Sequence, residues 1–144
     1  GARNVQRLLN KMYDLYPSNE ASDYLAAAQS VSVLNRKRSL VVMVCNLRDE
    51  DIDDLLIAVR LLQKKHLVLV ANLVEETIFS SLEQPIVGFE SAILYAGIHY
   101  YNRQTNEAME RLKSLGVWLI TCKPSELSVR VVNSYLQIKN SAIL

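Results

Sequence analysis

Five closely spaced acidic side chains are the part of this sequence best suited to hold metal ions. They are Asp49, Glu50, Asp51, Asp53 and Asp54. Two-metal hydrolysis needs several carboxylates that converge on ions about 4 Å apart. Side chains within one and a half helical turns point around the axis instead, and negative charge is favoured at the start of a helix. The spacing therefore favours a solvated helix N-terminus, with Asp49 as its N-cap, over a nuclease site.

The thiols and imidazoles of the chain have no spacing that indicates a metal or nucleophile site. There are two cysteines, Cys45 and Cys122, and two histidines, His66 and His99. Zinc sites need several such ligands at short spacings, and neither cysteine has a histidine near it in the sequence. We expect buried, reduced thiols, because disulfides are rare in intracellular domains. No strand is followed by a glycine-rich phosphate loop, so we expect no dinucleotide cofactor.

Three apolar runs predict the strands that would position any site. They cover residues 39–46, 66–73 and 117–122, and each is followed by polar residues. An unbroken apolar run is typical of a strand buried on both faces of a parallel sheet. Helical patterns separate the three runs, and a strand, helix and strand in succession place the two strands parallel.

Apolar residues at helical spacing predict the helices. Two helices, over 3–16 and 22–35, precede the first strand, and Ser22 or Asp23 is expected to cap the second of them. Gly116 is expected to end the long helix before the third strand in the left-handed conformation. The other predicted helices begin near Ile52, around Thr77, at Phe89 and after Ser125, and the one from Phe89 has on one face Ile93, Ala96, Tyr100, Ala108, Leu112 and Leu115.

The predicted fold class is α/β, a three-layer arrangement in which a parallel sheet of about three strands has helices on both faces. Independent sheets usually have five or six strands, so this sheet resembles half of a larger one. We therefore expect residues 1–144 to form a single domain that is a fragment of a longer protein.

Composition excludes several functional classes. Sixteen basic and fifteen acidic residues give a net charge of +1, too balanced for a general nucleic-acid binder. Half of the residues are hydrophobic, which excludes disorder. No apolar run approaches the roughly 18 residues of a membrane span. We expect a cytoplasmic chain that makes no membrane contact, although the parent protein could be tethered to a membrane.

Two basic groups, Arg36–Arg38 and Lys64–His66, precede the first two strands. They should lie together at the amino edge of the sheet, where the strands begin. Such a rim could contact nucleic acid or an acidic partner, but helix C-termini attract cations in any case. A solvated rim is the favoured interpretation.

Polar residues that follow the strands are the candidate contact residues, because ligands of open α/β sheets meet the carboxyl ends of the strands. We predict that they act as polar contacts and hydrogen-bond partners for another protein. They are Asn46, Arg48, Asp49, Asn72, Glu75 and Lys123, with Ser22 and Asp23 from the loop above.

Five short segments carry a resemblance to a known family. They are Ser22–Tyr24, Arg38–Val42, His66–Val70, Gly116–Val117 and Asn133–Lys139. Their order and spacing resemble the bacterial family called domain of unknown function 58, over nearly the whole chain. The resemblance implies that this chain is the C-terminal half of a domain similar to the von Willebrand factor A fold. It also implies a role in complex assembly or maturation beside a MoxR-type AAA+ ATPase.

The sequence departs from this family where a metal would bind. The Asp-x-Ser-x-Ser motif is missing from these residues, and Cys45-Asn46 stands where family members usually have Thr-Asp. Ser22 could stand for the hydroxyl ligand of the second loop. Asparagine offers a neutral oxygen, whereas Mg²⁺ prefers carboxylates. We expect no cofactor here, and Mg²⁺ only in an intact parent protein.

The leading hypothesis is thus a non-enzymatic protein-interaction domain. The alternative is a metal-dependent hydrolase or phosphodiesterase with its site at the carboxyl edge, using Asp23 and Asp49. The first strand would also have a long apolar edge, which proteins rarely leave open. Either a leading helix covers this edge or a second copy pairs with it, which would make a homodimer.

Overall fold

The structure is a computed structural model that describes residues 21–74 and 85–141, with seven isolated positions between residues 6 and 17. The predicted helices over 3–16 and around Thr77 lie outside the two continuous ranges. Glu75, one of the predicted contact residues, also lies outside the described residues.

Seven regular elements make up the described chain. In chain order they are α1 (Tyr24–Leu34), β1 (Leu40–Cys45), α2 (Ile52–Gln63), β2 (Leu67–Leu73), α3 (Phe89–Ser114), β3 (Trp118–Cys122) and α4 (Leu127–Asn140). Short 3-10 turns at Asp49–Asp51 and Pro124–Glu126 precede α2 and α4. All three predicted strands are confirmed to within one residue at either end.

The three strands form one parallel sheet in the order β1-β2-β3. Leu40 is paired with Leu67 at the start of β1 and β2, and Leu69 with Trp118 between β2 and β3. The predicted α/β class with a three-stranded parallel sheet is confirmed. Parallel pairing brings the carboxyl ends of all three strands to one edge, called the carboxyl edge below.

Each face of the sheet packs against helices. Val68 and Val70 of β2 belong to a buried core with Leu55 and Val59 of α2, and α1 and α3 contribute Ala28 and Leu112 to that core. Side chains alternate along a strand, so Leu69 and Ala71 of β2 lie on the opposite face, and both are fully buried. The helix α4 contacts β2 and β3, which makes the sheet the middle of three layers.

Two predicted helix ends are confirmed and one is wrong. Asp23 caps α1 by accepting a hydrogen bond of 2.8 Å from the backbone N–H of Ala26. Gly116 follows α3 with φ of 71°, in the left-handed conformation that glycine favours. Asp49 does not cap a helix, because it begins the 3-10 turn and its carboxylate accepts a hydrogen bond from the Gln104 side chain, while Asp51 takes the cap position of α2. A short turn precedes α2, so the cap position falls two residues later than predicted.

The helix α3 packs along only part of its length. Ala108 and Leu112 are buried as predicted, but Ile93 is 56% exposed and Tyr100 59% exposed. The buried residues of α3 are Ile98, Thr105, Ala108 and Leu112, so the predicted face is wrong in the first half of the helix. Neither α3 nor any other described helix combines the length and the apolar character needed to cross a bilayer.

Candidate functional site

The exit of β1 is joined to α3 by side-chain hydrogen bonds. The Tyr101 hydroxyl donates to Oδ1 of Asn46 over 2.8 Å, and the Gln104 amide donates to Oδ2 of Asp49 over 3.1 Å. The same Gln104 nitrogen lies 2.9 Å from the Tyr100 hydroxyl. Asn46 and Asp49 are therefore held in place while they stay exposed.

Arg48 belongs to the same exposed group, and two neighbouring carboxylates contact its guanidinium. Its Nη1 lies 3.0 Å from Glu50, and both Nε and Nη2 lie 3.1 Å from one oxygen of Asp51. The hydrogen bond to Asp51, helped by the charges of Asp51 and Glu50, raises the pKa of Arg48 above its usual value. Because half of the side chain is still exposed, Arg48 offers a fixed positive charge to a partner.

Together these residues form one patch, which we call the carboxyl-edge cluster. It contains Asn46, Arg48 and Asp49 of the β1 exit with Tyr100, Tyr101 and Gln104 of α3. The three α3 residues were not among the predicted contact residues. They lie more than 50 positions away in the chain, and the sequence carries no signal that α3 crosses the exit of β1.

Asn72 does not fit the predicted contact role. Its side chain is completely buried, so it offers no surface to a partner. Its Oδ1 accepts a hydrogen bond of 3.0 Å from the backbone N–H of Leu47, which ties the exit of β1 to β2. Its amide nitrogen is buried without a partner among the described residues. Asn72 therefore positions the cluster from inside.

The loop before α1 also lies near the β1 exit. Tyr24, just inside α1, interacts electrostatically with Cys45, Asp51 and Arg48. Burial raises the pKa of Tyr24, and the nearby Cys45 and Asp51 raise it further. Ser22 is exposed and hydrogen-bonds the Tyr24 side chain, so it remains available at this edge.

The other predicted contact residues have separate places. Asp23 is exposed, but its carboxylate is engaged as the cap of α1. Lys123 is half-buried and follows β3 directly, at the start of the 3-10 turn. The geometry thus gathers Asn46, Arg48 and Asp49 into one cluster, with Ser22 near it.

Both cysteines are buried and reduced, as predicted. Burial, followed by the negative charge of Asp51, raises the pKa of the Cys45 thiol to about 11. Burial also raises the pKa of Cys122, with a smaller effect from Glu126. A reactive cysteine needs a lowered pKa, so neither thiol is set up as a nucleophile.

Cys45 is expected to make the fold sensitive to alkaline pH. Its folded pKa of about 11 exceeds the ordinary thiol value of 9.0, so the folded state holds the proton more tightly. As pH rises, the unfolded chain loses its proton first, and stability falls between about pH 9 and pH 11. The ceiling is roughly 2–3 kcal/mol, from two units at about 1.4 kcal/mol each. Urea unfolding of the wild type and of Cys45→Ala measures this, and the variant should show a shallower decline.

Four of the six basic-group residues predicted at the amino edge lie together. Arg38, Lys64 and Lys65 line a cleft of about 470 Å³ at the end of the sheet opposite the carboxyl-edge cluster. His66 lines the same cleft but is buried, with Nδ1 3.1 Å from the Ser39 hydroxyl. Its other nitrogen is buried and has no hydrogen-bond partner within the described ranges.

Comparisons with known proteins identify no relative. No protein-family model matches the chain, and no curated protein or solved structure is significantly similar to it. Within the described ranges, no three His, Cys, Asp or Glu side chains are grouped so that they could hold a metal ion. The resemblance to the domain-of-unknown-function 58 family stays a prediction.

Proposed function

We propose that this chain is a protein-interaction domain that binds its partner through the carboxyl-edge cluster. The observation that carries the proposal is the set of hydrogen bonds from α3 to Asn46 and Asp49. A surface that is already ordered loses less conformational entropy when it binds. Tyrosine and arginine are also among the side chains most enriched at binding hot spots.

The charges of the cluster indicate what kind of surface the partner presents. Arg48 and Asp49 stand next to each other, and Tyr100 is 59% exposed beside them. A surface that offers a cation, an anion and an aromatic ring suits a mixed protein surface better than a polyanion such as nucleic acid. The resemblance adds a candidate, because it implies a MoxR-type AAA+ ATPase and a role in complex assembly. The same resemblance makes this chain the C-terminal half of a von Willebrand A-like module.

The hydrolase alternative gains no support from the positions of its two carboxylates. Asp23 is engaged with the backbone of α1, and Asp49 accepts from Gln104. In the described part of the chain, no acidic cluster is arranged to hold a metal. We therefore do not propose this activity.

Charge reversal at the cluster tests the proposal. Arg48→Glu and Asp49→Lys are expected to weaken capture of a MoxR-type ATPase at least tenfold, because each places a like charge where the partner offers an opposite one. The melting temperature should stay nearly unchanged, since exposed ion pairs contribute about 0–1 kcal/mol. Binding is measured by titration calorimetry with the purified ATPase.

A matched control reverses an exposed ion pair at the C-terminal end of α3. Lys113 and Glu110 form such a pair at 2.7 Å, with side chains 52% and 71% exposed. Lys113→Glu should leave capture unchanged. Equal loss of capture in Lys113→Glu and Arg48→Glu would contradict binding at the cluster, and a large loss of stability in Arg48→Glu would assign that residue a structural role.

A further inference from the structure

The outer edge of β1 presents backbone groups that no described strand pairs with. The backbone N–H of Leu67 donates to the carbonyl of Ser39, so odd-numbered residues of β1 direct their backbone groups towards β2. Successive residues of a parallel strand direct their backbone N–H and C=O groups to opposite sides, so those of Leu40, Val42 and Val44 point away from β2. Among the described strands, the sheet order places β1 at an edge. An apolar edge of this kind is a template for another strand.

The side chains of Leu40, Val42 and Val44 leave apolar surface exposed to solvent. Val44 is 49% exposed, and Leu40 and Val42 line a groove of about 460 Å³ against Val132 and Tyr135 of α4. On α4, Val132 is 54% and Tyr135 38% exposed. The groove therefore runs beside the open edge, on the face of the sheet that α4 covers only in part.

Charges of opposite sign stand at the two ends of β1. The segment 36–38 carries three positive charges before the strand, and 48–51 carries three acidic residues and one arginine after it. All three basic side chains of 36–38 are exposed, and none forms an ion pair with another described residue. Between the two segments, β1 and its flanking residues are uncharged.

We propose that the outer edge of β1 pairs with the same edge of a second copy of this chain, in antiparallel orientation. Antiparallel pairing places the basic segment of each copy beside the acidic segment of the other, at both ends of the pair. Parallel pairing would place like charges together and is disfavoured. The occupant of the groove is thus a second copy, because this edge is complementary to itself.

The backbone pattern also determines which sheet faces of the two copies lie on the same side of the dimer. Only even-numbered residues direct hydrogen-bonding groups outwards, so Val42 pairs with Val42 or Val44 of the other copy. Residues directly opposite share a face, and both copies therefore place α4 on the same side of a continuous six-stranded sheet. The two grooves then adjoin, and the exposed valine and tyrosine surface of each α4 is covered in part by the other copy.

Charge reversal with rescue tests the orientation. The basic variant is Lys37→Glu with Arg38→Glu, and the acidic variant is Asp49→Lys with Glu50→Lys. Each variant alone places like charges at both ends of the pair, so its dissociation constant should rise at least tenfold. An equimolar mixture of the two should recover a heterodimer, since every flank again meets an opposite charge.

Sedimentation equilibrium of the whole chain gives the readout. The wild type should have twice the monomer mass of 16.3 kDa. Added salt should weaken the wild-type dimer, and it should strengthen dimerisation of both variants because it screens their like charges. A monomeric wild type would overturn the proposal and leave the edge for a strand from elsewhere in the parent protein, as the von Willebrand A-like resemblance implies. A dimer that both reversals leave intact would overturn it as well.

A proline at the edge separates backbone pairing from charge. Val42→Pro removes an outward N–H without removing a hydrogen bond to β2, and proline is tolerated on edge strands. It should abolish the dimer, while Val42→Thr, which keeps the N–H and the branched shape, should retain it. Far-UV circular dichroism checks that both variants fold. A folded Val42→Pro that still dimerises would contradict pairing through this edge. Capture of an ATPase by the carboxyl-edge cluster is scored separately, so either proposal can fail alone.

Discussion

Truncation of Leu112 to alanine is expected to lower the free energy of unfolding by about 2–5 kcal/mol. Leu112 is fully buried in the core that α3 shares with α2 and the sheet. The loss combines the transfer energy of the removed methyl groups with the cavity they leave. Urea unfolding followed by circular dichroism measures it as a lower midpoint at an unchanged slope.

The matched control is Leu94→Ala on the same helix. Leu94 is 54% exposed, so its truncation should change stability by no more than about 0.5 kcal/mol. The comparison tests whether α3 is anchored only from Ile98 onwards, since Ile98 is the first buried residue of the helix. Equal losses in the two variants would show that the first turns of α3 are packed as tightly as the rest.

The contrast within α3 marks the limit of sequence reasoning about packing. Ile93, Ala96 and Tyr100 share the predicted face with Ala108 and Leu112, yet the first three are exposed. Helical spacing specifies which residues lie on one side of a helix. At 3.6 residues per turn, Ile93, Ala96 and Tyr100 lie roughly 100–160° around the axis from Leu112, so the predicted face combined apolar residues from two sides of the helix. The buried side instead carries Ile98, Thr105, Ala108 and Leu112.

The second strand was predictable from the sequence because both of its faces are buried. In β2, residues 68–72 are all buried, so every side chain had to be apolar or internally hydrogen-bonded. In β2 the continuous apolar run reflects this burial on both faces, but the same expectation is wrong for β1, whose run is equally apolar although Val44 is 49% exposed. The helix caps were less predictable, since Asp23 and Asp49 both precede a helix but only Asp23 accepts a backbone N–H.

The candidate site was predictable only where chain order determines position. Parallel strands must end at one edge, which brought Arg48 and Asn46 correctly to the carboxyl edge. The orientation of Asn72 was not determined in this way, because both faces of β2 are buried and alternation gives no contrast. Tyr101 and Gln104 reach the cluster through tertiary packing alone.

Replacement of Asn72 by aspartate is expected to destabilise the fold at neutral pH by roughly 4 kcal/mol. Asn72 is 0% exposed, and its Oδ1 accepts the Leu47 N–H. Aspartate has the same shape and can accept the same hydrogen bond, but burial disfavours its charged form. Full burial raises the pKa of a carboxyl by up to about three to five units, and three units at about 1.4 kcal/mol each give roughly 4 kcal/mol.

The pH dependence of this loss identifies its cause. The unfolded carboxyl titrates near pH 4, whereas the folded one keeps its proton to a higher pH. The variant should therefore be closest to the wild type below about pH 4 and lose stability as pH rises towards 7. Asn46→Asp is the matched control at the same edge, because Asn46 is exposed and should show little pH dependence.

Urea unfolding of both variants between pH 4 and pH 7 decides the role of Asn72. A steep loss in Asn72→Asp alone means that this side chain holds the β1 exit from within, so its effect on partner binding would be indirect. If the free energy of unfolding changes little with pH in both variants, water reaches Asn72, and this residue could then contact a partner. The distinction matters because the carboxyl-edge cluster depends on the position of Leu47, which Asn72 holds.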